Sequence, residues 1–227
     1  MVRSLHAFAD RKTAGVALAR AVQRIKLTPP VLVLGLPRGG VPVAYEVAQA
    51  LRAPLDVMVV RKIGLPGQPE LAIGSIASGN IIVREPGAEE HLAAFDVPFE
   101  ELAELERTEL KRRERAYRAD APPLDLRGQT VVLVDDGLAT GATMLAAVRA
   151  ARHAGAASVI VAAPVASDEA AAVVGAEADE MVILKTPAFM FAIAQWYKNF
   201  EQVEDAEVRA LLDRSRTYAA QDKRRRE

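Results

Sequence analysis

The sequence predicts an α/β fold in which a mostly parallel, twisted sheet is flanked by helices. Short apolar runs without polar alternation, at 31–34, 131–134 and 158–163, are typical of strands buried on both faces. Segments with apolar residues at helical spacing separate these runs, and such an alternation gives parallel strands with right-handed crossovers. Glycines or acids follow two of the runs directly. Ligands in open sheets of this kind bind at the carboxyl ends of the strands, so we expect the functional site there.

The composition is that of an ordinary globular chain, with 227 residues, 51% of them hydrophobic, and a formal net charge of −1. This length suits a single domain, which we predict over 1–227. The near-zero charge gives no electrostatic reason to expect nucleic acid or membrane as partners. The chain has no cysteine, which excludes disulfides, zinc–thiolate sites and thiol catalysis. Since no signal peptide or membrane-length apolar run is visible, we expect a cytoplasmic protein.

Two strand–helix units are predicted in the first part of the chain. Asp10 has the side chain of a helix N-cap, and helical apolar spacing continues from it to about Leu27. The 31–34 strand is followed by a helix that ends near Leu51, and a second strand is predicted over 55–60. Both strands are expected to belong to the parallel sheet.

A hairpin and a long helix are predicted next. Residues 64–69 are rich in glycine and proline and predict a mobile turn. The segments 71–77 and 80–84 predict a hairpin, and 98–118 predicts a charged amphipathic helix. We place these elements in an insertion over about 71–120.

The second half of the chain alternates strand and helix. The predicted strands are 131–134, 158–163 and 181–184, and the predicted helices are 144–154 and 167–174. A last helix is predicted over 206–218, followed by a charged tail that is expected to be disordered at 219–227.

The strongest motif joins the 131–134 strand to two acids and a turn of small residues. Asp135 and Asp136 come directly after the strand, and Gly137 to Thr143 lead into the next helix. Glycines allow close backbone approach, and a helix N-terminus offers N–H groups to a phosphate. Vicinal hydroxyls can donate hydrogen bonds to the two carboxylates. The motif therefore fits a ligand with both hydroxyls and a phosphate.

This run resembles the phosphoribosyl diphosphate (PRPP) signature of type I phosphoribosyltransferases: four apolar residues, two acids, three variable residues, then Thr-Gly-x-Thr. The resemblance implies the fold of that family, with a core at about 30–185 and a small hood built from the N-terminal segment and 186–218. It implies that Asp135 and Asp136 hold the ribose and stabilise positive charge on it during reaction. The residues implied for the 5′-phosphate are Gly137, Leu138, Ala139, Thr140, Gly141 and Thr143.

Two shorter motifs resemble other parts of the same family. Arg38, Gly39 and Gly40 follow the first strand and resemble the diphosphate-binding loop. Arg61 and Lys62 resemble the start of the mobile catalytic loop, where Arg61 would bind diphosphate and Lys62 would aid its departure. The alternative interpretation of the first motif is a glycine-rich turn with a surface arginine. The alternative for the second motif is a basic pair at the surface.

An aromatic-rich segment over 187–200 lies in the predicted hood. The resemblance implies that one of its aromatics stacks on a base, and the candidates are Phe191, Trp196 and Tyr197. A small satellite core is the alternative.

The implied activity is transfer of a phosphoribosyl group from PRPP to a nitrogen acceptor, a nucleobase as in purine salvage, with release of diphosphate. Mg²⁺ is expected to arrive with PRPP and to have no dedicated protein site, because the three histidines are scattered. A homodimer is expected from the family. The alternative function is a PRPP-sensing regulator that binds nucleic acid or another partner.

Overall fold

The computed structural model describes residues 8–226 except 94, 96 and 120, and describes no side chains at 69, 70 and 218–226. The strands in chain order are β1 (Val31–Gly35), β2 (Leu55–Val57), β3 (Val60–Leu65), β4 (Gln68–Ala77), β5 (Ile81–Arg84), β6 (Thr130–Val134), β7 (Ser158–Val165) and β8 (Glu180–Lys185). The helices are α1 (Arg11–Val22), α2 (Gly40–Leu51), α3 (Ala88–Leu92), α4 (Phe99–Arg118), α5 (Ala142–His153), α6 (Asp168–Gly175) and α7 (Asp205–Arg226). A 3₁₀ turn covers Ile193–Trp196.

Five strands form the main sheet in the order β2-β1-β6-β7-β8, and every pairing within it is parallel. The predicted mostly parallel sheet with flanking helices is therefore confirmed. Pairing of Gly35 with Val134 places the carboxyl ends of β1 and β6 side by side. The two loops that follow these strands consequently meet at one edge of the sheet.

The N-terminal segment and the predicted hood are joined by backbone hydrogen bonds. Phe8 N–H donates to the Trp196 carbonyl over 3.0 Å, and Lys198 N–H donates to the Phe8 carbonyl over 2.9 Å. Helix α1 begins directly afterwards, where the Asp10 carboxylate accepts from Thr13 N–H in a capping box, as its sequence predicts. These contacts bring the first helix to the carboxyl edge of the main sheet.

The predicted strand over 55–60 is wrong in its second half. The strand leaves the main sheet after Val57, and Val60 starts β3 in a separate antiparallel sheet of three strands. The change of sheet occurs at Val59, whose N–H donates to the Ser78 hydroxyl. Every residue across the break is apolar, so hydrophobicity alone gives no sign of it. The separate antiparallel sheet consequently begins at residue 60, before the hairpin that is predicted from residue 71.

The turn predicted over 64–69 is present but shorter than predicted. Leu65 pairs with Gln68 and closes a two-residue turn at Pro66 and Gly67, where Gly67 has φ 74°. Proline followed by glycine suits such a turn because proline fixes its own φ and glycine tolerates a positive one. Most of the stretch therefore belongs to β3 and β4.

The small sheet lies between two helices. Ile63 and Ile73 belong to the same core cluster as Phe99 of α4, while Val60 and Ile81 pack with the cluster that contains Met144 of α5. The hairpin of β4 and β5 and the amphipathic helix α4 agree with the prediction.

The last helix is longer than predicted. Helix α7 continues to Arg226, where the sequence predicts an end near residue 218 and a disordered tail. The charged end of the chain has the composition of a good helix former, and charge alone does not distinguish a solvated helix from a disordered tail.

Candidate active site

The two acids of the strongest motif follow β6 and make different contacts. Asp136 is buried at 7% exposure, and its Oδ2 accepts a hydrogen bond from Arg11 Nε over 2.7 Å. Asp135 Oδ1 accepts from the backbone N–H of Asp136 over 2.8 Å. The contact with Arg11 joins α1 to the motif, and no residue pattern in the sequence identifies it.

Removal from water disfavours the charged form of both acids. Burial, followed by the neighbouring Asp136 carboxylate, raises the pKa of Asp135 well above its ordinary value of 3.8. Burial also raises the pKa of Asp136, although the hydrogen bond from Arg11 acts in the opposite direction. A ligand that donates hydrogen bonds or carries positive charge would therefore be favoured at this position.

The raised pKa of Asp135 predicts that the Asp135→Asn variant is increasingly stabilised relative to the wild type as pH rises above about 4. In the wild type the folded state keeps the Asp135 proton to a higher pH than the unfolded state does. Stability from this group is thus present at low pH and is lost as pH rises through the raised pKa. Urea unfolding of both proteins at acid and neutral pH measures the difference. A difference that is independent of pH would contradict the prediction.

The Arg38–Gly40 segment lies directly on the two acids. A Cβ atom on Gly39 would be 2.0 Å from Asp136 Oδ2, and one on Gly40 would be 2.6 Å from the Val134 carbonyl oxygen. The peptide bond between Pro37 and Arg38 is cis. The absence of side chains at both glycines lets the backbone of this loop touch the acidic motif, so the two motifs form one site.

The loop after the acids encloses a cavity of about 170 Å³. Its lining comprises Asp135, Gly137, Leu138, Ala139, Thr140, Gly141, Ala142, Thr143, Met144 and Ile193. Neighbouring segments hold the loop, because Leu138 N–H donates to the Val165 carbonyl and the Ser167 hydroxyl donates to the Ala139 carbonyl. Helix α5 begins at Ala142, so its free N–H groups lie at this cavity.

Ile193 closes one side of the cavity. A Cβ atom on Gly137 would be 2.7 Å from Ile193 Cγ2, so the hood rests on the loop at this glycine. Ile193 lies among the aromatics of 187–200, but an isolated isoleucine carries no functional signal in a sequence.

The structure does not bring Arg61 and Lys62 into this cavity. Both lie within β3 and not at the end of a strand. Arg61 Nε donates to Glu106 of α4 over 2.7 Å, and Lys62, the next residue along the strand, is exposed. Their predicted position at a strand end is wrong because it relied on a strand that ends at Val60. The roles of Arg61 and Lys62 toward diphosphate stay a prediction.

The three aromatic candidates have different surroundings. Phe191 is 92% exposed, and Trp196 is partly buried with an Nε1–H that has no hydrogen-bond partner in the described residues. Tyr197 is only 2% exposed, and its ring packs between those of Phe8 and Phe200. Stacking of a base on Tyr197 is therefore a wrong prediction, since neither ring face is open.

The Tyr197 hydroxyl instead donates a hydrogen bond to the Asp136 carbonyl over 2.6 Å. Burial, followed by the nearby Asp136 carboxylate, raises the pKa of this hydroxyl, which keeps it protonated as a donor. The Tyr197→Phe variant is expected to lose about 1–3 kcal/mol of unfolding free energy because a buried carbonyl loses its partner. Urea unfolding measures this loss. A loss equal to that of Tyr45→Phe, which changes a partly exposed tyrosine outside the site, would contradict the assignment.

Neither a metal site nor a membrane span is found in the described part of the chain. Among those residues, no three His, Asp or Glu side chains converge in a way that could hold a metal ion. Within the same residues, no helix has the length and apolarity needed to cross a bilayer.

Comparison with known proteins identifies the family. The model of the phosphoribosyl transferase domain matches residues 7–207. "Putative phosphoribosyl transferase Rv0571c" of Mycobacterium tuberculosis (strain ATCC 25618 / H37Rv) is 47% identical over 210 residues, which is 92% of this chain and 47% of that protein. A counterpart from strain CDC 1551 / Oshkosh gives the same values. The chain thus spans about half the length of the curated relatives it matches.

A solved structure is similar over almost the whole chain. The crystal structure of TT1426 from Thermus thermophilus has 44% sequence identity and a TM-score of 0.82, and the match covers 90% of this chain and 97% of that one. The resemblance of the acidic motif to the phosphoribosyltransferase signature is therefore confirmed at the level of the family: this chain belongs to the phosphoribosyl transferase family.

Proposed function

We propose that the protein transfers a 5-phosphoribosyl group from PRPP to a nitrogen atom of a nucleobase and releases diphosphate. The observation that carries this proposal is the contact between the two loops at the carboxyl edge of the sheet. The Arg38–Gly40 backbone touches Asp136, and the cavity of Gly137–Thr143 lies next to Asp135. Groups suited to diphosphate, ribose and 5′-phosphate are therefore adjacent in that order.

The 5′-phosphate is assigned to the cavity of about 170 Å³. Free N–H groups in the first turn of α5 and the positive end of its dipole favour an anion there. Thr140 and Thr143 line the cavity and offer hydroxyl donors. Gly141 has φ 74°, which a glycine adopts without strain and which turns the loop into the helix.

The ribose is assigned to the two acids. Arg11 occupies Oδ2 of Asp136, so Oδ1 of the same carboxylate is the atom we assign to a ribose hydroxyl. When the bond from C1 to diphosphate breaks, positive charge develops on the ring, and a partly desolvated carboxylate pair stabilises it. The raised pKa of Asp135 falls when hydroxyl donors or positive charge come close.

The diphosphate is assigned to the Arg38–Gly40 loop, because this loop lies against the two acids assigned to the ribose and Arg38 offers a guanidinium to phosphate oxygens. We propose that Mg²⁺ accompanies the diphosphate, where it would neutralise charge on the leaving group. The two adjacent acids are the nearest oxygen donors of the chain, and so few protein ligands suit an ion that keeps water and phosphate oxygens. The acceptor base is assigned to the hood, with Phe191 and Trp196 as the stacking candidates.

A diphosphate-release assay with PRPP, Mg²⁺ and a panel of purines and pyrimidines tests the proposal. Release is expected with at least one base, and the Asp135→Asn/Asp136→Asn double variant is expected to lose it. Asp125→Asn is the matched control, because that carboxylate is exposed and pairs with Arg127 outside the site. If PRPP binds but no base causes release, the protein is a PRPP-binding regulator and the proposed transfer is wrong.

A further inference from the structure

A second polar cavity of about 250 Å³ lies beside the Arg38–Gly40 loop. Six of its lining residues are Pro37, Arg38, Arg112, Arg113, Tyr117 and Asp205. Pro37 and Arg38 come from the loop itself, and the other two arginines come from α4. The cavity therefore joins the loop assigned to diphosphate to a helix that lies outside the parallel sheet.

Three guanidinium groups and one carboxylate, that of Asp205, line this cavity, and Asp205 accepts a hydrogen bond from the Tyr117 hydroxyl over 3.0 Å. Two further acids lie close by and offset the charge of the arginines, since Glu109 is bonded to both arginines of α4 and Glu204 lies 3.9 Å from Arg38 NH1. The cavity therefore suits an anion through guanidinium donors that remain unoccupied and not through an excess of positive charge.

The arginines retain donors for such an anion. Arg113 donates its Nε to Glu109 over 2.9 Å, and in the described residues neither of its terminal nitrogens has a hydrogen bond. Arg38 NH1 is 3.7 Å from Asp205 Oδ1 and 3.9 Å from Glu204 Oε2, which is beyond hydrogen-bond distance. A planar guanidinium with free terminal nitrogens is suited to bind two phosphate oxygens at once.

Glu109 holds the two arginines of α4 in position. It accepts hydrogen bonds from both Arg112 and Arg113, and these bonds lower its pKa to about 2. Glu109 is therefore charged at neutral pH and keeps the Nε of Arg113 occupied. Arg113 lines the cavity beside the diphosphate loop, so this pair leaves its terminal nitrogens at that side of the loop.

The basic residues of β3 do not line the cavity of about 250 Å³. Arg61, predicted to contact diphosphate, is held by Glu106 instead. Of the candidate cations from the sequence motifs, Arg38 alone lines a cavity next to the diphosphate loop.

We infer that Arg113 of α4, together with Arg38, forms an outer binding site for the diphosphate group of PRPP. This inference rests on the proposed function and adds a residue from outside the sheet to it. The diphosphate lies beside Arg38, and its terminal phosphate enters the cavity of about 250 Å³. Arg113 then binds that phosphate before and after the bond to ribose breaks, so it contributes to substrate affinity.

Calorimetric titration of the full chain with PRPP, inorganic diphosphate or ribose 5-phosphate, each with Mg²⁺, tests the inference. Arg113→Ala is expected to bind PRPP and diphosphate about tenfold more weakly than the wild type does, which corresponds to the loss of one hydrogen bond to a charged group. Its affinity for ribose 5-phosphate is expected to be unchanged, because that ligand lacks the diphosphate. Arg113→Lys is expected to lose less affinity for PRPP and diphosphate, since lysine keeps the charge but not the planar group.

Arg115→Ala is the matched control on the same helix, because Arg115 is exposed and lines a different cavity with Gly79 and Asn80. It is expected to bind all three ligands as the wild type does. Equal diphosphate affinity of Arg113→Ala and wild type would overturn the inference, and so would equal weakening of diphosphate and ribose 5-phosphate. If the wild type binds neither PRPP nor ribose 5-phosphate, the proposed function itself fails.

Discussion

Replacement of Gly39 by alanine is expected to weaken PRPP binding about 100-fold. The new Cβ would lie 2.0 Å from Asp136 Oδ2 and 2.7 Å from Asp136 Cγ, so the carboxylate has to move. Loss of the charge-assisted hydrogen bond between this carboxylate and the ligand costs about 1.5–3 kcal/mol of binding free energy. The upper part of that range corresponds to about 100-fold in affinity. Overpacking lowers the stability of the free and the bound protein alike and does not add to this loss.

Backbone strain makes no contribution to this expectation. Gly39 has φ −61° and ψ −32°, a conformation that alanine adopts freely. The effect therefore reports only on the contact with Asp136. Calorimetry with PRPP measures it, and Gly175→Ala serves as the control, because a Cβ there would meet only the flexible Met181 side chain at 3.0 Å. Wild-type affinity in Gly39→Ala would mean that the loop and the acid are not in contact.

The sequence correctly predicts that two motifs of consecutive residues lie at one edge of the sheet. Asp135 and Asp136 follow a buried strand, and Gly39 follows another, so both reach the same edge of a parallel sheet. Adjacent pairing of β1 and β6 then brings the two loops together. Local sequence and sheet geometry are sufficient for this part.

Contacts between distant segments account for what the sequence does not predict. Arg11 and Asp136 are 125 residues apart, and no local pattern links a helix start to an acid in a loop. The role of Tyr197 cannot be read from the sequence for a different reason. The same residue type can stack on a base or fill a small core. The break at Val59 lies within an apolar run, so periodicity cannot reveal where one sheet ends.

Replacement of Arg11 by alanine is expected to lower the free energy of unfolding by about 3–5 kcal/mol, the usual cost of removing one partner of a buried ion pair. The side chains of Arg11 and Asp136 are only 12% and 10% exposed, so water does not replace the lost contact. Arg11 also donates to the Glu201 carbonyl over 2.6 Å and stacks on the Phe200 ring at 3.7 Å. Urea unfolding measures the loss, and Arg127→Ala, which breaks an exposed pair, is expected to keep a stability close to that of the wild type.

A double-mutant cycle with Asp136→Asn separates the ion pair from the other contacts of Arg11. Without the guanidinium, Asp136 loses the hydrogen bond and the charge of Arg11, which oppose the effect of burial, so its pKa rises further. Asp136 is then neutral in the folded protein. The free energy of unfolding of Arg11→Ala is therefore expected to fall as pH rises above the ordinary pKa of aspartate. In the Arg11→Ala/Asp136→Asn protein this pH dependence is expected to be smaller, because the asparagine does not ionise. If the stability losses of the two single variants simply add, and the pH dependence does not change, then Arg11 acts through Phe200 and Glu201 and not through the acid that is assigned to the ribose.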